Sequence, residues 1–196
     1  RPPDSVLAMI GLTFVPLLLA TAAGQVTALT ILGFAATWRL LRDGRPALAG
    51  LPLGLLLFKP QYAIPLIGLV AIRGHLRAMP TTFGVAAGWW LGGAAMLGVA
   101  WLPEWIEFAT GFSGADATVN AANAISWLGL AQNLLGSGSF AAYVLGGIAV
   151  LGTAVTLVAI WWRGNTPGLA LPMAAASVGV LLTSPHAMFY DAGLLV

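Results

Sequence analysis

Residues 24–61 read GQVTALTILGFAATWRLLRDGRPALAGLPLGLLLFKPQ, and the spacing of their polar groups decides the fold. A Gly-Gln pair opens the stretch, Arg39, Arg42 and Arg45 form a basic knot in its middle, and Lys59-Pro60-Gln61 closes it. About 13 residues separate Gln25 from Arg39, and about 13 more separate Arg45 from Lys59. At a rise of about 1.5 Å per residue each apolar arm is roughly 20 Å long, short of the roughly 30 Å hydrocarbon core of a bilayer. With the arginines at one membrane face, Gln25 and Lys59 are expected below the other face, at similar depth. Polar groups held inside a bilayer are costly, which makes both of them candidates for function.

The rest of the composition agrees with a membrane setting. Hydrophobic residues make up 59% of the 196, charged residues 7%, and mean hydropathy is +0.92. A soluble domain carries about 25% charged residues. The apolar runs are too long for barrel strands and lack their alternation, so the expected class is all-α, a polytopic helical membrane protein. The sequence pI of about 9.5 comes from a few arginines, not from a basic surface that would take nucleic acid. Cysteine is absent, which removes disulfides and thiolate metal sites, and neither a metal nor a cofactor is expected. The chain opens on Arg-Pro-Pro and stops inside an apolar run, so it reads as one transmembrane domain over 1–196, cut from a longer protein at both ends.

Taken in order, apolar runs cover Val6–Ala23, Val26–Leu41, Ala47–Phe58, Ala63–Ile72, Thr81–Leu102, Phe140–Trp162 and Leu169–Thr183, with an eighth beginning after Asp191. That makes seven or eight membrane segments. The two short ones, flanking Lys59, are expected to form a hairpin. Counting that hairpin as two crossings puts Arg39, Arg42, Arg45, Arg73, Arg77 and Arg163 on one side, which the positive-inside rule makes cytoplasmic. A single kinked helix from Pro46 to Ile72 would split them between faces. Residues 103–138 carry Glu104, Glu107, Asp116, Asn120, Asn123, Gln132 and Asn133 and read as an extracytoplasmic loop. Its interspersed tryptophans and phenylalanines suggest a helix lying partly in the membrane interface.

Lys59 is the strongest single candidate. A lysine at a helix end snorkels readily, but these arms are too short for a comfortable reach, and a compact ammonium suits a phosphate. Gln25 serves equally well as a helix–helix hydrogen bond or as a ligand contact. His186, between Pro185 and the Tyr190-Asp191 pair, reads either as a structural hydrogen-bond donor, the commoner role of a single histidine near an interface, or as a group for proton transfer or phosphate binding. Asp191 reads either as a charge at a helix start or, if turned inward, as a partner for Lys59 or a sugar hydroxyl. Asn123 offers hydroxyl-gripping chemistry, though more weakly. The sequence lacks a P-loop, a dinucleotide fingerprint, an H-E-x-x-H motif and a Ser-His-Asp spacing, so a nucleotide-sugar donor has no visible pocket.

In order and spacing, Gly24-Gln25, the run from Arg39 to Gly50, Phe58-Lys59-Pro60-Gln61, Asn123-Ala-Ile-Ser-Trp-Leu-Gly and Ser184-Pro-His-Ala-Met-Phe-Tyr-Asp191 resemble glycosyltransferase family 87. The resemblance implies a C-type glycosyltransferase fold in the inner membrane of a bacterium. It also implies transfer of a hexose, mannose first, from a polyprenyl-phosphate donor to a hydroxyl of a glycan or glycolipid acceptor outside the cytoplasm. Carried onto this chain, it makes Lys59 and His186 candidates for the donor phosphate, and Gln25, Gln61, Asn123, Tyr190 and Asp191 candidates for the substrate site. The implied general base, an aspartate in the first extracytoplasmic loop, is expected upstream of residue 1; Asp4 is not promoted to that role. The rival class is a transporter or flippase for a lipid-linked sugar or other anion, which also uses broken helices with polar residues at depth. Such proteins are built from repeats, and the Gln25–Lys59 pattern has no second copy.

Overall fold

The computed structural model describes residues 5, 6, 9, 13–119, 121–162 and 168–195, with backbone only at 112–119 and 121. Asp4, Asn120 and Arg163 lie outside the described residues, as does the side chain of Asp116. The α-helices among those described are α1 Val15–Ala22, α2 Thr27–Arg42, α3 Pro46–Leu55, α4 Pro60–Ile72, α5 Met79–Leu97, α6 Trp101–Val119, α7 Trp127–Leu135, α8 Phe140–Trp162 and α9 Ala170–Thr183. Short 3-10 turns at Leu56–Phe58, Leu76–Ala78, Ala121–Asn123 and Phe189–Leu195 complete the chain.

One local rule ends α1, α2 and α4. In each, a glycine with positive φ (Gly24, Gly44 and Gly74) follows the last turn. The next residue's N–H then reaches back over the helix end: Gln25 to Ala20 O at 2.8 Å, Arg45 to Leu40 O at 2.8 Å, and His75 to Val70 O at 3.2 Å. Glycine takes this left-handed conformation without a Cβ clash and so satisfies carbonyls the helix leaves open. Prolines at the first positions of α3 and α4 start those helices where no N–H is needed.

Cross-contacts fix how the helices run. Gly33 in the middle of α2 receives the Leu56 side chain, so α2 and α3 are antiparallel neighbours. Gly50 lies against Ala78 O and Thr82, and Gly54 against Val85, so α3 and α5 run side by side in the same direction. Between them α4 has to return the chain, and α3 and α4 therefore form the hairpin that the arginine spacing predicts. At the basic end, the Arg73 guanidinium donates to Trp161 O at 3.5 Å and Gly168 O at 3.3 Å, which joins the α4–α5 turn to the α8–α9 connection. Arg39 pairs with Asp43 across one helical turn at 2.7 Å, and that guanidinium's hydrogen bond holds the Asp43 carboxyl below its usual range. Burial, and then the charge of Arg73, lower the His75 imidazole pKa in the same layer.

Lipid-facing chemistry is plain on the outside. Leu29, Leu32, Ile64, Phe83, Leu151 and Val155 are exposed, while Phe34, Leu53, Leu66, Val70, Trp161 and Val180 form the core. Among the described residues, α8 alone is long and apolar enough to cross a membrane unaided. Leu76–Leu97 and Trp101–Gly111 pass the same test as a pair but are bent by 97°. The other apolar helices (Pro46–Phe58, Pro60–Ile72 and Ala170–Thr183) are shorter. Two readings from the sequence are revised. The run Thr81–Leu102 is not one helix: it breaks at Gly98, whose φ is +92°. The Trp101 indole then packs on Gly93 and donates to Trp90 O at 3.1 Å, which fixes the bend. The apolar stretch after Asp191 belongs to the 3-10 turn Phe189–Leu195 and not to a regular α-helix.

Candidate functional site

The site is built where α3 breaks. After the 3-10 turn, Lys59 leaves helical geometry (φ −123°, ψ 75°), and Pro60 starts α4. The break turns Lys59 into the bundle, with its side chain only 12% exposed. There its Nζ meets Asp191 Oδ1 at 2.5 Å, across 132 residues of chain. Asp191 is 3% exposed, and its second carboxylate oxygen accepts the Met188 N–H at 3.2 Å. Removing either partner of a buried pair leaves an uncompensated charge, so this contact ties the hairpin to the C-terminal segment.

Two further groups complete the cluster. Tyr62, three residues beyond Lys59 on the same helical face, puts its ring 5.4 Å from the ammonium. Its hydroxyl is fully buried beside the Asp191 carboxylate and the Ser184 hydroxyl, yet reaches hydrogen-bond geometry with no group among the described residues. Ser184 is buried too, and its Oγ accepts the His186 N–H at 3.2 Å. That bond shapes the turn after Pro185. The segment is then held from the side: Ile125 N–H donates to Ala187 O at 2.9 Å, and Ala124 and Met188 form an isolated antiparallel bridge. The two stretches singled out from the sequence, 123–129 and 184–191, are thus stitched together beside Lys59. On the other side of the α3–α4 break, Phe58, Pro60, Trp89, Trp90, Trp101 and Trp105 help to line an apolar cavity of about 390 Å³.

Residues 2–185 of the chain match glycosyltransferase family 87. The chain belongs to that family. No curated protein and no solved structure matches it.

In this glycosyltransferase family 87 chain, Lys59 lies inside the matched residues, while His186, Tyr190 and Asp191 follow their end. The residues singled out from the sequence are placed unequally. Lys59 and Asp191 touch. Gln61 is half-buried in the first turn of α4, and His186 and Tyr190 are half-buried in the segment that carries Asp191. Asn123 is exposed, one residue before the bridge. Gln25 is half-buried in the α1–α2 turn and makes no hydrogen bond to the pair. Sequence reasoning missed Tyr62 and Ser184. The spacing of Tyr62 from Lys59 was a usable signal, since it places the ring under the ammonium on one helix face.

Proposed function

We propose that this glycosyltransferase moves a hexose, mannose first, from a polyprenyl-phosphate donor to a hydroxyl of a glycan or glycolipid acceptor on the extracytoplasmic side of a bacterial inner membrane. The observation that carries the reading is the Lys59 ammonium, buried at a helix break within the family match and opposite the basic end of the bundle. Because the leaving group is already a phosphate, the catalyst has to stabilise its charge and deprotonate the acceptor. A fixed ammonium in a water-poor setting performs the first task, with His186 on the neighbouring turn as the second phosphate contact. The tryptophan-lined cavity beside Phe58 and Pro60 suits the first isoprenoid units of the donor.

Asp191 is not the acceptor's base in this reading. Both of its oxygens are engaged and it is almost fully buried. The base is a carboxylate from an extracytoplasmic loop upstream of the helices described. Gln25, Gln61, Asn123 and Tyr190 form the rim that meets the sugar and the acceptor.

The test is Lys59→Ala in the full-length protein, assayed with polyprenyl-phosphate mannose. The expected result is a fall in transfer of at least about a hundredfold, as for removal of one preorganised electrostatic contact, in a protein that still inserts into the membrane. Transfer within threefold of wild type would remove Lys59 from the mechanism.

A further inference from the structure

The Tyr62 hydroxyl takes no part in the proposed transfer, although it is buried within the cluster. It is 1% exposed, lies next to Asp191 and Ser184, and has no hydrogen-bond partner among the described residues. Buried hydroxyls are nearly always paired, because leaving one unpaired forfeits its hydration for nothing. Its neighbours are held by other donors in the unliganded state: Asp191 accepts from the Lys59 ammonium on one oxygen and from the Met188 N–H on the other, Ser184 Oγ accepts from the His186 N–H, and each carboxylate oxygen keeps a second lone pair.

A donor phosphate changes that balance. When a second anion reaches the ammonium, the Asp191 carboxylate loses part or all of its cation while still buried. A buried carboxylate without its partner is strongly unfavourable. The phenolic O–H beside it is a donor with nothing else to serve.

We propose that Tyr62 is a positioning residue which takes over the Asp191 carboxylate when a phosphate occupies Lys59, so that the ammonium changes partner without leaving a buried charge uncompensated. The exchange makes no covalent change: the ammonium donor that served Asp191 turns to a phosphate oxygen, and the Tyr62 O–H donates to Asp191 in its place. This inference rests on the donor-phosphate reading of Lys59 and adds the group that makes room for it.

The experiment compares wild type with Tyr62→Phe in the full-length protein in detergent. It measures thermal unfolding and binding with polyprenyl monophosphate, and with the uncharged polyprenol as control. Wild type is expected to be stabilised by the phosphate and not by the alcohol. In Y62F the unliganded melting temperature stays the same or rises, since only an unpaired hydroxyl is lost. Affinity for polyprenyl monophosphate falls about tenfold, the worth of a hydrogen bond to a charged group, and in turnover the donor KM rises while kcat holds. Affinity within twofold of wild type overturns the inference and leaves the Lys59 reading standing. A matching loss of unliganded stability also overturns it, because the hydroxyl is then a structural group. A wild type that does not distinguish the phosphate from the alcohol overturns the donor-phosphate reading itself, and the inference with it.

Discussion

The pair Lys59–Asp191 shows how a membrane protein keeps a charged group at its centre. A lone lysine between two apolar helices is hard to explain from hydropathy, and the structure supplies its counter-charge from the far end of the chain. Such pairs add little net stability over an apolar replacement of similar size, yet breaking one side is severe. Asp191→Asn is therefore expected to lower stability by about 3 kcal/mol, because the ammonium stays buried beside a neutral amide. The apolar double replacement, Lys59→Met with Asp191→Leu, is expected to recover most of that loss while abolishing transfer. Thermal unfolding in detergent checks both. Equal stability of wild type and Asp191→Asn would show that the pair carries no structural weight. The sequence identified both members, since a lysine before proline and an aspartate opening an apolar run are each conspicuous there. Their contact was only one of the options open to Asp191. The tyrosine beneath them was not read as polar chemistry at all, because a tyrosine in an apolar helix reads as core until its hydroxyl is seen to lack a partner.

At the scale of elements, α3 is held against α5 by close backbone approach and not by large interlocking side chains. Gly50 on α3 is where this shows most directly: a Cβ there would run into the carbonyl oxygen of Ala78 and the backbone nitrogen of Thr82. Small residues at helix crossings let backbones approach in a setting where lipid is as apolar as leucine. Gly50→Ala is expected to cost on the order of 1–3 kcal/mol, since the colliding atoms are main chain and cannot turn aside. Gly84, on the facing helix α5, is exposed with open space around it, and Gly84→Ala is expected to be neutral or slightly stabilising through helix propensity. A melting curve for each variant decides the matter; equal losses at both positions would mean that the glycines are not packing contacts. Helix ends were legible at this scale where a glycine or proline stands beside charged residues, as at Gly44, Pro46 and Pro60. The break at Gly98 was not, because the apolar run continues through it to Leu102 and the cause is a packing contact, Trp101 on Gly93, that no spacing reveals.

At the scale of the whole molecule, two ends with different chemistry emerge. The Arg39–Arg45 turn, the Arg73–Arg77 turn and the end of α8 gather at one end, and Lys59, Asp191 and the bridged 124–188 segments lie toward the other. The positive-inside rule predicts that the arginine end is cytoplasmic. Residues 1–196 contain no cysteine, so single cysteines introduced there need no background removed from this stretch. Arg45→Cys and Leu76→Cys sit in exposed turns at the basic end, whereas Ser137→Cys sits in the exposed turn before α8, whose 23 residues span roughly 35 Å to the Arg73 contact. A membrane-impermeant maleimide is expected to label positions 45 and 76 only in inverted vesicles and position 137 only in right-side-out ones. Labelling of 45 and 76 from opposite sides would replace the α3–α4 hairpin with one continuous crossing and leave Lys59 stranded in mid-bilayer. Labelling of all three positions from one side would instead show that α8 does not cross the membrane. The three outcomes separate because the hairpin reverses the chain at Lys59, and the buried ammonium is open to an extracytoplasmic phosphate only if that reversal takes place.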